Sequence, residues 1–329
     1  MIYTTFGIKA TADRYYTATT RDELLHILSL QPVHDNPLFI LGGGSNVIFT
    51  QHYPGTILHL ENKGISLLHE TAQGHVMVEA AAGENWDTFV QYCISHGWHG
   101  AENLAAIPGT VGASPVQNVG AYGCEAKDII HTVRTIEIAT GRERLFTRDE
   151  CQFGYRNSIF KNELKGQYIV WSVIFSLSKT FIPNLNYKAI TDVLERNGVK
   201  NPTPQQLADT VADIRWAKLP RPEETGSAGS FFKNPVVDTS QYQQLKSRYP
   251  DLVAYPTNEG YKLAAGWLIE QAGWKGRSLG RCGVYGKQAL VLVNLGGCTG
   301  QEVTNLADAI TADVRHQFGV TLEKEAIII

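Results

Sequence analysis

The sequence predicts an α+β fold in which a strand-rich first region is followed by a smaller α/β region. Short stretches that alternate apolar and polar residues recur before residue 210, and the helical patterns between them lack the regular βαβ alternation of a parallel sheet. The segment 220–226, Pro-Arg-Pro-Glu-Glu-Thr-Gly, combines turn-forming and charged residues, which predicts an exposed loop. We therefore divide the chain into residues 1–210, residues 211–319 and a C-terminal strand at 320–329.

Local signals define the elements of the first region. Thr20 and Glu23 form a capping box, which predicts a helix through Leu28. Apolar or alternating runs predict strands at 38–41, 56–60, 75–82, 135–138 and 171–177. A further helix is predicted before Gly97, where four residues share one apolar face: Trp86, Phe89, Val90 and Cys93.

The helix that leads out of the first region and the elements of the second region are predicted in the same way. A helix begins with Thr203 as its N-cap and Pro204 at its first helical position, where the missing N–H of proline is harmless. The apolar run 289–293 predicts a buried strand. Thr299 begins a long amphipathic helix that Gly319 ends.

Two glycine-rich segments indicate a ligand site. The segment 107–123, Ile-Pro-Gly-Thr-Val-Gly-Ala-Ser-Pro-Val-Gln-Asn-Val-Gly-Ala-Tyr-Gly, permits sharp turns that bring backbone N–H groups against a phosphate. The segment 42–46, Gly-Gly-Gly-Ser-Asn, lies between two apolar runs, and a hairpin turn is the alternative interpretation of it. A dinucleotide-binding fingerprint would need glycine at position 47, which is valine, and no Walker A motif is present. Together the two segments favour one extended diphosphate ligand.

Composition excludes several classes of protein. The formal net charge of −3 and the lack of a basic block argue against a nucleic-acid partner. No apolar run reaches the length of a membrane span and no leader-like segment is present, so we expect a cytoplasmic protein without a membrane partner. The five cysteines are widely spaced and odd in number, which favours reduced thiols. The ten histidines show no metal-ligand spacing, and we expect no metal.

A few polar residues occupy positions suited to chemistry. Ser230 follows a flexible run of small residues and is either a proton donor or part of a hydrogen-bonded turn, since the G-x-S-x-G motif of hydrolases is absent. Arg156 lies among aromatic residues, where a guanidinium binds a carboxylate or forms a surface salt bridge. Glu325 is in an apolar tail that either buries its carboxyl group or frays. Arg215 and Lys218 are candidates for binding a diphosphate, although most exposed basic residues bind nothing specific.

Over nearly its whole length the sequence resembles the type I UDP-N-acetylenolpyruvoylglucosamine reductase family. The segments that carry the resemblance are 43–46 (Gly-Gly-Ser-Asn), 107–123, 153–156 (Phe-Gly-Tyr-Arg), 185–187 (Leu-Asn-Tyr), 217–220 (Ala-Lys-Leu-Pro), 228–235 (Ala-Gly-Ser-Phe-Phe-Lys-Asn-Pro), 262–269 (Lys-Leu-Ala-Ala-Gly-Trp-Leu-Ile) and 322–325 (Leu-Glu-Lys-Glu). The chain departs from the family at Thr4, where asparagine is usual, at Gly43, where glutamate occurs, and in the tail, where Lys324 replaces a proline.

The resemblance implies a vanillyl-alcohol-oxidase-like (PCMH-like) FAD-binding domain, a substrate domain and a C-terminal strand that returns to the active site. It implies non-covalent FAD that NADPH reduces, after which UDP-N-acetylglucosamine enolpyruvate enters the same cleft. Hydride passes from flavin N5 to C3 of the enolpyruvyl group, and Ser230 protonates C2. Arg156 and Glu325 are the other catalytic residues that the resemblance implies. A monomer in the peptidoglycan pathway is expected.

The resemblance also implies binding residues. The cofactor is expected to contact Gly43, Gly44, Ser45, Asn46, Pro108, Gly109, Thr110, Gly112, Ala113, Ser114, Gln117, Asn118, Gly120, Tyr122 and Gly123. The substrate is expected to contact Tyr187, Arg215, Lys218, Asn234, Tyr255, Lys262 and Gln288, with Tyr187 as the gating tyrosine.

Two other functions compete with this one. An FAD-dependent alcohol or carbohydrate oxidase on the same flavin fold would explain the glycine segments but not the serine loop together with a terminal glutamate. A nucleotide-binding protein with a decayed site would predict loss of Arg156, Ser230 or Glu325, and all three are present.

Overall fold

The computed structural model describes residues 2–30, 33 and 35–329, which form two compact units. The larger unit contains the described residues of 12–43 and 54–217, and the smaller unit contains residues 2–11, 44–53 and 218–329. This division differs from the predicted boundaries, because two N-terminal segments belong with the C-terminal region and because no break occurs at residue 210. A single helix crosses that position, since Leu207, Val211 and Ile214 on its inner face are buried in the core of the larger unit.

Strands and helices are mixed without βαβ regularity, which confirms the α+β prediction. The strands are β1 Ala12–Ala18, β2 Leu38–Leu41, β3 Val47–Ile48, β4 Tyr53–Leu60, β5 Ile65–Glu70, β6 His75–Ala81, β7 Gly120–Ala121, β8 Cys124–Glu125, β9 Ile130–Glu137, β10 Glu143–Thr147, β11 Tyr168–Ser178, β12 Ser227–Ser230, β13 Val236–Val237, β14 Ala254–Thr257, β15 Gly260–Leu263, β16 Ser278–Leu279, β17 Cys282–Val284, β18 Val291–Asn294 and β19 Ile327–Ile328. The α-helices are α1 Arg21–Ser29, α2 Trp86–Ser95, α3 Lys188–Arg196, α4 Pro204–Lys218, α5 Thr239–Arg248, α6 Ala265–Gln271 and α7 Gly300–Phe318.

The predicted helix starts are confirmed because their signals are local. Thr20 accepts a hydrogen bond from the Glu23 amide and the Glu23 carboxylate returns one, as a capping box requires. Thr299 begins α7 with the same arrangement, and Gly319 ends that helix in the left-handed conformation, with φ of 67°. Pro204 is the first residue of α4, as predicted.

Two sheets organise the larger unit. One has five antiparallel strands in the order β10-β9-β11-β6-β5, and the other has the order β1-β4-β2, with β2 and β4 parallel. Helix α2 packs on the five-stranded sheet through Trp86 and Phe89, whose ring centroids lie 6.0 and 4.4 Å from that of Phe175 on β11. These fully buried aromatic rings give the unit a core on which a surface loop is able to hold a fixed shape.

The smaller unit contains a four-stranded antiparallel sheet, β12-β18-β17-β16, and a three-stranded sheet, β13-β15-β14. Its core includes Phe231, Phe232 and the apolar face of α7. The C-terminal strand is shorter than the predicted 320–329: only β19 forms, and it pairs in parallel with β3. Because β2 pairs with β4 and β3 with β19, the triple glycine between β2 and β3 is not a hairpin turn.

One prediction about cysteines is wrong. Cys282 on β17 and Cys298 before α7 form a disulfide, with their Cα atoms 5.8 Å apart. The side chain of Asn294 accepts hydrogen bonds from the amides of Gly296 and Cys298, and this turn brings the second cysteine back to the first. Sequence spacing did not indicate the pair because the turn that joins it is set by a side chain on another strand. Cys93, Cys124 and Cys151 are free thiols.

Candidate active site

The two glycine-rich segments approach each other closely within the larger unit. A Cβ atom added to Gly42 would lie 2.7 Å from the Thr110 Oγ1, and one added to Gly43 would lie 3.1 Å from the Gly109 Cα. A side chain at Gly42 would displace the Thr110 side chain, and a side chain at Gly43 would require the Gly109 backbone to shift slightly. The result is a surface built from backbone groups of both segments.

Backbone hydrogen bonds clamp the second segment to the rest of the larger unit. The amides of Val111 and Gly112 donate to the carbonyls of Glu84 and Ala82, each at 2.9 Å. A Cβ on Gly112 would lie 2.5 Å from the Ala82 Cβ, so this glycine allows the loop to lie directly on the end of β6. The loop is therefore held in place before any ligand binds.

Two of the predicted cofactor residues use their side chains to hold the loop itself. The Ser114 hydroxyl donates to the Val111 carbonyl at 2.7 Å. Asn118 is fully buried; its Nδ2 donates to Glu125 Oε2 and to the Gly154 carbonyl, both at 3.0 Å, and its Oδ1 accepts from the Lys127 amide. These hydrogen bonds indicate that the side chains of Ser114 and Asn118 stabilise the conformation of the loop. The remaining predicted residues of this segment are partly or fully exposed along the same loop: Pro108, Gly109, Thr110, Ala113, Gln117, Gly120, Tyr122 and Gly123.

Arg156 lies at the end of a tight turn that faces this loop. Gly154 and Asn157 exchange backbone hydrogen bonds of 3.0 and 3.2 Å, and Arg156 adopts a left-handed φ of 54°, which is uncommon for a long side chain. Its Nη2 donates to the Gly120 carbonyl at 2.8 Å, so the guanidinium is tied to the glycine-rich loop. The turn therefore places the half-buried guanidinium of Arg156 next to Gly120, two residues before Tyr122.

Arg215, on the last turn of α4, adds a second positive charge near Arg156 and Tyr122. Burial lowers the pKa of the Arg215 guanidinium, and the neighbouring charge of Arg156 acts in the same direction, while Tyr122 and Asp87 oppose it. The Nε of Arg215 is buried and has no hydrogen-bond partner among the described residues. Two adjacent cations with an unsatisfied donor form an arrangement that an anion would stabilise.

Tyr187 is on the same side of the larger unit, at the start of α3. Its ring meets that of Tyr122 edge to face, with centroids 5.3 Å apart and an interplanar angle of 89°. Tyr187 is 41% exposed, so it is accessible to a ligand. The larger unit thus brings together the predicted residues Arg156, Tyr187 and Arg215 around Tyr122.

The smaller unit brings Ser230 and Glu325 together. Ser230 ends β12, and the next residue, Phe231, accepts a hydrogen bond of 2.8 Å from the Glu325 amide through its carbonyl. Asn46 Nδ2 donates to the Glu325 carbonyl at 3.2 Å, so the tail is held between β12 and the segment that follows Gly44. Both Ser230 and Glu325 are half-buried, and the predicted frayed terminus is not observed.

The other predicted substrate residues of the smaller unit are on two sheets. Tyr255 and Lys262 face each other across β14 and β15, and Tyr255 is 54% exposed. Gln288 Oε1 accepts from the Leu290 amide, and Asn234 Oδ1 accepts from the Ala265 amide at 2.9 Å, which fixes the start of α6. Lys218 is exposed at the end of α4, and Gly44 and Ser45 lie in the segment before β3.

Sequence reasoning missed three residues that shape the larger unit's site. Gly42 makes the closest approach to Thr110. Asp87 Oδ1 accepts from the Ala106 amide at 2.6 Å and fixes the left-handed residue, φ of 58°, that begins the loop. Asn103 is buried and holds the Tyr122 carbonyl. Gly42 belonged to the glycine-rich segment 42–46 but was not named as a contact, and Asp87 stands in the first turn of a predicted helix, which by itself indicates helix stabilisation.

Metal-ligand groups and membrane-spanning helices characterise other classes of protein. No group of three or more histidine, cysteine or acidic side chains in the described part of the chain is arranged to hold a metal ion. None of the described helices combines the length and apolarity needed to cross a membrane.

Two family models match the chain. The model described as UDP-N-acetylenolpyruvoylglucosamine reductase, C-terminal domain, matches residues 221–329, and the model described as FAD binding domain matches residues 12–146. The second match confirms the prediction of an FAD-binding region in the first part of the chain.

Known proteins are similar to this chain over its whole length. The UDP-N-acetylenolpyruvoylglucosamine reductase of Burkholderia cenocepacia is 48% identical, with 99% of this chain and 94% of the relative covered. The reductase of the same name from Bdellovibrio bacteriovorus is 45% identical, with 98% and 96% covered. The crystal structure of the reductase from Thermus caldophilus superposes with a TM-score of 0.66 at 24% identity, covering 99% of this chain and 95% of that one, and shows a shared fold.

Proposed function

The chain belongs to the UDP-N-acetylenolpyruvoylglucosamine reductase family, and from this premise we propose that it reduces UDP-N-acetylglucosamine enolpyruvate to UDP-N-acetylmuramate, with NADPH as the reductant. The reaction saturates the enolpyruvyl double bond: C3 receives a hydride and C2 a proton. It supplies the lactyl ether sugar of peptidoglycan. The chemistry therefore requires a hydride source, a site for the substrate's carboxylate and a proton donor, and the chain offers residues for each.

The glycine-rich surface of the larger unit fits the diphosphate of FAD. Gly42 and Gly43 lie close to Thr110 and Gly109, and backbone without side chains is what lets N–H groups reach phosphate oxygens. When bound there, FAD supplies the hydride that it has taken from NADPH. The chain's own contribution is a loop that Val111 and Gly112 anchor to the core.

Arg156 and Arg215 are the residues that would hold the substrate's carboxylate or phosphate oxygens. Hydride addition at C3 leaves negative charge on C2 and on the adjacent carboxylate, and preorganised donors stabilise that charge in the transition state. Arg215 has a buried Nε without a described partner, so an anion would satisfy it. Arg156 is already oriented by its bond to the Gly120 carbonyl, so little reorganisation is needed.

Ser230 is the proposed proton donor to C2. A serine hydroxyl is a weak acid, but a carbanion is basic enough to accept its proton where water is scarce. Ser230 precedes the fully buried Phe231 and Phe232, which exclude water from one side of the strand. Glu325, held by its own amide to the Phe231 carbonyl, would orient the hydroxyl or the donated proton. This juxtaposition of the C-terminal tail and the serine strand is the structural observation that most supports the proposal.

The test is an anaerobic titration of the flavin band in Ser230→Ala. NADPH should bleach the flavin as in the wild type, whereas turnover with the enolpyruvyl sugar nucleotide should fall by at least about a hundredfold, the low end for a general acid. Ser227→Ala is the matched control, because Ser227 is a buried serine on the same strand, and its turnover should be unchanged.

Two outcomes would contradict the proposal. Near-wild-type turnover of Ser230→Ala would remove serine from the proton-donor role. Bleaching of the wild-type flavin by NADPH without recovery on addition of the enolpyruvyl nucleotide would point to another electron acceptor, as for the flavin-dependent oxidase considered above.

A further inference from the structure

Tyr122 occupies a backbone position that tyrosine rarely adopts. The hairpin β7–β8 has a two-residue turn made of Tyr122 and Gly123, whose φ angles are 50° and 80°. A turn with both central residues at positive φ favours Asn-Gly, because a bulky side chain at the first position is strained. Strain of this kind persists where the surrounding structure imposes it, and it is concentrated at functional sites.

The side chain at this strained position contacts residues of the proposed site. Its ring supports Tyr187 edge to face, at 5.3 Å between centroids. Tyr122 is half-buried, and burial raises the pKa of its hydroxyl while Arg215 opposes the rise, so the hydroxyl is within electrostatic range of that guanidinium. Asparagine at this position would provide neither the aromatic ring that contacts Tyr187 nor the phenolic hydroxyl group.

A buried amide joins the same turn to the segment that leads to Tyr187. Asn103 Nδ2 donates to the Tyr122 carbonyl at 3.3 Å and to the Asn184 carbonyl at 3.0 Å. Asn184 in turn contacts Cys124, the residue after the turn, with 3.1 Å between its Nδ2 and the Sγ. The hairpin and the segment before α3 are therefore connected at Tyr122, through Asn103, and at Cys124.

We propose that Tyr122 is a positioning residue that holds the ring of Tyr187 in place for the phosphate-bearing substrate. The sequence grouped Tyr122 with the cofactor residues, whereas its ring contact in the structure is with Tyr187. This inference rests on the proposed function, because it assigns a role in binding the same sugar nucleotide. The strained turn then accompanies the placement of an aromatic ring against Tyr187.

The first experiment replaces Tyr122 with asparagine, which suits the turn but removes the ring. Tyr122→Asn should unfold at the wild-type temperature or above, because asparagine tolerates positive φ. Its KM for UDP-N-acetylglucosamine enolpyruvate should rise about three- to tenfold, as expected for loss of an aromatic pair, while the rate of flavin reduction by NADPH stays unchanged. Tyr122→Phe keeps the ring and should retain most of the affinity.

Gln152→Asn is the matched control. Gln152 also has a left-handed φ, 47°, but it is exposed and outside the proposed site. Asparagine should relieve the backbone strain at residue 152 in the same way and leave the KM for the enolpyruvyl nucleotide unchanged. A double-mutant cycle with Tyr187→Ala tests the coupling: if Tyr122 acts through Tyr187, the double variant should be weakened by less than the product of the two single effects.

The outcomes separate this inference from the proposed function. Wild-type protein without activity on the enolpyruvyl nucleotide would refute the proposed function itself. With active wild type, an unchanged KM in Tyr122→Asn or independent effects in the cycle would overturn the positioning role. Loss of bound FAD from Tyr122→Asn, seen as a reduced flavin absorbance per protein, would assign Tyr122 to the cofactor instead and also overturn it.

Discussion

Reduction of the disulfide between Cys282 and Cys298 should lower the thermal stability of the protein. The two cysteines are 16 residues apart in sequence, and closing a loop of that length in the unfolded chain is worth about 3 kcal/mol. At about 2.1 cal/mol/K per residue, the unfolding entropy of the 329-residue chain is about 0.7 kcal/mol/K, so the melting temperature should fall by about 4 °C. Both cysteines are buried, so reduction also leaves two thiols inside the core without changing its volume greatly.

The assay compares thermal unfolding of protein oxidised with glutathione disulfide before and after treatment with a phosphine reductant. The variant Cys282→Ala/Cys298→Ala should unfold near the reduced wild type and should not respond to the reductant. Cys124→Ala is the matched control and should respond as the wild type does. The free thiols should remain inert during oxidation, because burial raises the pKa of Cys124 to about 11 and that of Cys151 to about 12.

Two results would refute this reasoning. A wild-type melting temperature that does not change on reduction would show that the linkage contributes no stability. Peptide mapping of the oxidised, unreduced protein without a linked peptide containing Cys282 and Cys298 would show that the bond does not form.

Two other substitutions test separate parts of the fold. Gly112→Ala places a Cβ 2.5 Å from that of Ala82, so it should displace the loop and lower FAD affinity at least about tenfold in a flavin titration, whereas Gly286→Ala, with open space around it, should not. Hydrogen bonds from Arg281 and Thr299 lower the pKa of Glu302 to about 2, below its unfolded value, so its contribution to stability is complete at neutral pH and is lost as pH falls below about 4.5. The difference in melting temperature between wild type and Glu302→Gln should therefore shrink between pH 5 and pH 3, taken as approximate limits, and a constant difference would contradict this.

Elements whose signals are local in sequence were predictable. The capping boxes at Thr20 and Thr299 and the proline at the start of α4 depend on contacts within four residues, and each helix begins where these residues indicate. The pairing of β3 with β19 joins residues far apart in sequence. The short strand Val47–Ile48 has no periodicity from which its partner, or its membership of the smaller unit, is deducible.

The backbone at the site carries information that the sequence patterns do not. Glycine-rich segments predicted sharp turns, but the residues that adopt left-handed φ without being glycine include three from the predicted site, Asn118, Tyr122 and Arg156. At Asn118 the side chain compensates by hydrogen bonds with Glu125, Lys127 and Gly154, which lie outside the loop 107–123. Tyr122 and Arg156 are long side chains in the same conformation; the Tyr122 ring contacts Tyr187, and the Arg156 guanidinium donates to the Gly120 carbonyl. Such contacts between residues distant in sequence accompany long side chains at turn positions that glycine or asparagine would occupy with less strain, and no sequence pattern indicates them.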